Sequence, residues 1–168
     1  MAVRGVHFAI TPEQREQLLK QRGDAKKIDY VQMKIEEVWD KDHLLETDVA
    51  WDGIHRVMIK QEQKGEFVVE AGPEHGPGGM AVVGGRQVLK KEDRYMIRLV
   101  EAEALGAVAA AMQAIDKAEF TARYDAHCRA AVYYLDDDDE FASCWESFQQ
   151  LRDFFAREAG SGRSVIFT

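Results

Sequence analysis

Residues 141–167, FASCWESFQQLRDFFAREAGSGRSVIF, decide the fold class. Phe141, Cys144-Trp145, Phe148, Leu151, Phe155 and Ala159 recur every three or four positions, one apolar stripe carried through about five helical turns. A period of 3.6 held over that length specifies a helix rather than a strand. Gly160 and Gly162 stop it, and Val165-Ile166-Phe167 then has the composition of a short strand. A long amphipathic helix delivered straight into a strand points to an α+β fold, a small mixed or antiparallel sheet covered by several helices.

The chain ahead of this segment repeats the mixture. Val6, Phe8 and Ile10 alternate with His7 and Ala9, the period of a strand. Thr11-Pro12-Glu13 opens a helix with a hydroxyl cap, a proline in the first turn and an acid at the positive end of the dipole. This helix is expected to run to about Gln21, with Gly23 ending it. Residues 28–39 fit both periods over part of their length, and more than ten residues favours helix. Thr47 or Asp48 caps a further helix carrying Trp51, Ile54-His55 and Met58 on one face. Gly53 inside that helix costs about 1 kcal/mol relative to alanine and marks a close approach by another segment.

Phe67-Val68-Val69 is expected as a short strand and Gly72–Gly79, with four glycines and two prolines, as a loop. Met80–Val83 has the make-up of a buried strand bounded by Gly84-Gly85, while Val88-Leu89 and Tyr95–Leu99 suggest two strands around a turn. Leu105, Val108-Ala109 and Met112 mark a helix, and Asp116–Glu119 resembles a capping box opening a short one. No repeat or long linker interrupts residues 1–168, and a chain of 168 residues can bury one sizeable core, so a single domain is expected.

Charge is distributed unevenly. Residues 1–100 hold 16 basic and 17 acidic side chains, whereas residues 101–168 hold 6 and 13. The net −8 therefore resides almost wholly in the last third. Such a surface repels nucleic-acid phosphates and anionic lipid, so neither nucleic acid nor membrane is an expected partner. It attracts a basic protein. No apolar run approaches the ~20 residues of a membrane span, and the amino-terminal residues lack a signal-peptide apolar region, which leads to the expectation of a cytoplasmic protein.

Catalytic and ligand motifs are sparse. Gly79 and Gly84 have the GxxxxG spacing, but Gly85-Arg86 stands where a phosphate loop requires Lys and Ser/Thr. Five successive acids, Asp136, Asp137, Asp138, Asp139 and Glu140, lack the spacing and the glycine of a calcium loop and fit an acidic helix start. Together with Tyr133 and Tyr134 they form a candidate partner-binding surface, since aromatics beside charge suit interfaces. Cys128 and Cys144 make no CxxC with each other, so neither a zinc site nor a disulfide framework is expected; no metal or cofactor is. One constellation offers a pocket: Trp51, Asp52 and His55, with the Gly84-Gly85 turn and Arg98. Asp52 and His55 are three apart on a helix, so the carboxylate could orient the imidazole as a general base. The alternative is a core histidine satisfied by a backbone carbonyl.

Four segments are familiar: Gly5 to Glu13, Asp48-Val-Ala-Trp-Asp-Gly-Ile-His55, Ala81-Val-Val-Gly-Gly85, and Phe148 to Phe155 continuing through Gly162 to Phe167. In this order the chain resembles the YfbM-like family, a bacterial group of small proteins with a domain of unknown function. It departs from that pattern at Arg94–Leu99, where the family often has a Tyr-Gly-Pro-containing run. The resemblance implies an α+β fold and no established activity, substrate or cofactor. With no catalytic set, a non-enzymatic binding protein, such as an inhibitor or immunity-type partner of a basic protein, is the first expectation; the ligand pocket, enzymatic or not, is the second.

Overall fold

The computed structural model describes residues 4–60, 70–92, 95–129 and 135–168. In chain order β1 (Gly5–Ile10), α1 (Pro12–Lys20), α2 (Asp24–Val31), β2 (Leu44–Asp48), α3 (Ala50–Ile59), β3 (Arg86–Gln87), β4 (Arg98–Val100), α4 (Leu105–Gln113), α5 (Lys117–Tyr124), α6 (Asp138–Glu158) and β5 (Ser164–Phe167) build an α+β fold. The five strands form one antiparallel sheet in the order β2-β1-β5-β4-β3.

Both faces of the sheet are covered. Val6, Phe8, Ile10, Leu99 and Ile166 pack with Leu18 of α1 and Val31 of α2. Ala9, Val100, Val165 and Phe167 point the other way, into a larger core with residues of α3, α4, α5 and α6. Alternation along β1 therefore sorts its side chains between two buried faces rather than between core and water. Thr11 caps α1 as its sequence requires, with the Gln14 N–H bonding its hydroxyl and the Gln14 side chain returning to the Thr11 N–H. Asp116 likewise accepts from Glu119 N at the start of α5. In α6 the stripe holds as expected, and Gly160 and Gly162 take φ values of 81° and 80° that favour glycine.

Four expectations need correction. The segment 28–39 is helical in part: α2 begins at Asp24 and passes into a π-helical turn at Gln32–Glu36. Thr47 and Asp48 do not cap α3. They end β2, a strand that the unalternating Leu44-Leu-Glu-Thr-Asp48 does not signal, and the Thr47 hydroxyl donates to Gly5 O across the ladder. Asp48 takes φ 43° to turn the chain, and Val49 precedes α3 with no side-chain cap. Met80–Val83 is not a strand: the chain makes a 3₁₀ turn at Pro77–Ala81, and Ala81, Val82 and Val83 are buried by packing on helices. Finally, the paired strands at Val88-Leu89 and Tyr95–Leu99 are displaced and shortened, to Arg86–Gln87 and Arg98–Val100. The strand expected at Phe67–Val69 lies outside the described residues.

Candidate functional site

Every residue of α3 is buried, Asp52, His55 and Arg56 included. A helix apolar enough to be enclosed on all sides sits at the centre of a core, and here it carries ionisable groups in with it. Arg56 is fully buried and its Nε donates to Asp52 Oδ1 at 3.0 Å, one helical turn back. The carboxylate expected to orient His55 is thus engaged by a cation that the pattern of apolar residues passes over. An acid and an arginine four apart in an otherwise apolar helix was the available signal. His55 is fully enclosed.

Gly53 meets the expectation of a close approach. A Cβ at that position would stand 2.7 Å from Cys144 Sγ of α6. Cys144 Sγ is directed at Ala50 O (3.7 Å) and Cys128 Sγ at Gly53 O (3.5 Å), so both thiols lie against the α3 backbone. Burial pushes the Cys144 thiol up to about 12 and the Cys128 thiol higher still, so both stay protonated and unreactive at neutral pH.

A second set of polar groups lies on the sheet. His7 and Arg98 are the register partners of Phe167 on its two sides, so the three form a row across β1, β5 and β4 on the face toward α3 and α6. Trp51 packs on Phe167 with ring centroids 5.7 Å apart. His7 lies among Phe154, Phe155 and Phe167, with Nε2 2.9 Å from Ala81 O. Burial lowers its pKa to about 4, against a smaller opposing effect of the Ala81 bond, so at neutral pH the ring is uncharged and Nε2 donates.

Arg98 is buried on β4. Its Nη1 and Nη2 donate to the two oxygens of Glu70 at 3.1 and 2.8 Å, and Nη2 is 2.5 Å from Glu92 Oε2. Burial raises the Glu92 carboxyl, partly offset by the charge of Arg98. Gly84 and Gly85 serve backbone packing. A Cβ on Gly84 would stand 2.1 Å from Gly79 O, and one on Gly85 would stand 2.9 Å from Leu99 O. The fold therefore brings Trp51, Gly85 and Arg98 around Phe167 and β4, while Asp52 and His55 are enclosed in α3.

The acidic run occupies the start of α6. Asp137 caps it by accepting from Asp139 N at 2.7 Å. Asp136, Asp137, Asp138 and Asp139 are exposed and Glu140 half-buried. Arg129, stacked over the Tyr124 and Phe141 rings, donates to Asp125, Asp136 O and Asp138. Phe141 and Trp145 are half-buried behind the acids, in ring contact with Phe120. Tyr133 and Tyr134 lie outside the described residues. Among the described residues no three His, Cys, Asp or Glu side chains are grouped to hold a metal, and no helix is long and apolar enough to cross a membrane.

No curated protein matches the chain. Among solved structures it is similar to the crystal structure of a protein of unknown function, YfbM, from Escherichia coli, at 17% identity with a TM-score of 0.61, covering 98% of each chain. At that identity the likeness is one of fold. Residues 1–168 match the family described as "Domain of unknown function (DUF1877)". The chain belongs to this YfbM-like family, whose function is not established.

Proposed function

We propose that this protein is a non-enzymatic binding protein, an inhibitor or immunity-type partner that docks a basic protein on the acidic start of α6. One observation carries the reading: the Asp138 side chain is 94% exposed although Arg129 reaches it, in a row of exposed acids. Half-buried Phe141 and Trp145 follow in the same helix. Residues 116–140 carry eight acidic and three basic side chains. Charge concentrated beside partly accessible aromatic rings suits fast, steered association followed by apolar anchoring. The ionisable groups of α3 are enclosed, which favours a structural role for Asp52 and His55 over a wet catalytic pocket.

The test uses cytochrome c as a basic probe and two variants of equal charge. Asp136→Asn/Asp139→Asn leaves the Asp137 cap and the Asp138–Arg129 pair intact. Asp29→Asn/Glu103→Gln removes two exposed acids elsewhere. The first is expected to slow association several-fold at low salt and to lose that effect at high salt. The second is expected to change it far less. Equal effects of the two pairs, or binding indifferent to salt, would overturn the reading.

A further inference from the structure

Arg98 holds two carboxylates in unequal settings. Glu92 is buried beside it, with a side chain 7% exposed, and accepts from Ile97 N through its other oxygen. Glu70 grips the outer edge of the guanidinium with both oxygens, yet its side chain is 69% exposed while that of Arg98 is 6% exposed. The edge covered by Glu70 therefore faces solvent, Glu92 holds Nη2 from the protein side, and the buried Nε has no hydrogen-bond partner among the described residues.

A planar fork of N–H donors fixed in a buried wall is a receptor for a planar carboxylate. Glu92 beside Nη2 adds negative charge when ionised, which disfavours a dianionic phosphate more than a single carboxylate. Glu70 is the exposed member of the pair, so water can take up its oxygens when a ligand carboxylate takes over the donors. Its backbone leads into Ala71-Gly72-Pro73, ahead of the turn at Pro73–His75.

We propose that Arg98 is the anchor of a binding site for a carboxylate-bearing ligand, and that Glu70 occupies it as an internal stand-in. The site is separate from the acidic start of α6 and selects the opposite charge. A ligand carboxylate takes the two Nη donors as Glu70 leaves for water, and no bond is made or broken.

The Arg98 Nε–H resonance, assigned through bonds, reports the site directly as acetate is titrated into the wild type and into Glu70→Ala. The substitution removes an exposed side chain and leaves Glu92 in place. If Glu70 occupies the site for nine-tenths of the time, its removal tightens acetate binding about tenfold, and acetamide causes no shift in either protein. A short peptide with a free C-terminus that binds tighter than acetate, with its amidated form losing the gain, names a peptide as the source. Equal binding of peptide and acetate names a small-molecule carboxylate. Identical acetate titrations in wild type and Glu70→Ala, absence of a shift in both, or inorganic phosphate binding tighter than acetate would each overturn the site.

Discussion

Helix α3 and the start of α6 treat charge in opposite ways. Within ten residues α3 encloses a carboxylate, an imidazole and a guanidinium, whereas α6 begins with a run of acids that leaves the Asp138 side chain almost wholly in water. In the interior an ion is tolerated only with a partner at bonding distance, so its replacement is felt as stability. At the surface, water screens the same charge and its replacement is felt in what the molecule attracts. A residue's type therefore does not say which role it has; its burial does.

The sharpest way to break this contrast is Arg56→Met, which deprives Asp52 of its arginine. A loss of about 3–5 kcal/mol is expected in urea denaturation, and Asp52→Asn/Arg56→Met should recover a large part of it. Equal losses in the single and double variants would mean that the pair is not what the helix depends on. His7 comes next. Its folded pKa of about 4 lies below the ordinary 6.5, so the unfolded chain binds the proton more readily. Stability contributed by the neutral ring is complete above pH 6.5 and is lost as pH falls toward 4, by roughly 3 kcal/mol. The urea midpoint of His7→Gln should fall less steeply over that window than that of the wild type. Parallel profiles would remove His7 from the account.

A smaller effect is expected at Gly53. Alanine there gains about 1 kcal/mol of helix propensity but meets Cys144 Sγ, for a net loss of about 1–2 kcal/mol. Cys144→Ala in the same chain should make the alanine markedly better tolerated. Least of all, Asp136→Asn/Asp139→Asn should change stability by less than about 0.5 kcal/mol while changing association with a basic probe. A large loss of stability at the surface would erase the distinction.

Where local chemistry decides the outcome, the sequence is legible. The hydroxyl and proline at Thr11-Pro12, the apolar stripe of α6 and the alternation in β1 specify their elements with little help from elsewhere. Leu44–Asp48 becomes a strand because β1 offers a ladder partner, and the bond that reveals it, Thr47 to Gly5 O, spans 42 positions. Met80–Val83 looks like a strand because burial alone produces an apolar run; the backbone there turns through a glycine-rich segment packed against helices. Of the residues singled out in the sequence, Arg98 stands beside Phe167, on which Trp51 packs, and Gly85 lies against Leu99 of the same strand as Arg98. The bidentate clasp of Glu70 on Arg98 joins residues 28 positions apart and has no local signature. Arg56 had one, four residues after Asp52, but an apolar stripe draws attention away from the cation inside it.

The place of β5 in the sheet bears on how the molecule is made. β1 and β4 have no ladder with each other; each pairs with β5, and Thr168 exchanges both backbone bonds with Val6. During synthesis the first strand must therefore wait, with its partner still inside the ribosome, until residues 164–167 emerge. Until then β1 can pair only with β2, one edge stays open, and Phe8 and Ile10 lack the neighbour that shields them. A nascent chain in this condition is a natural client for a holding chaperone, and a ribosome stalled before residue 164 would display an unfinished, adhesive half-sheet.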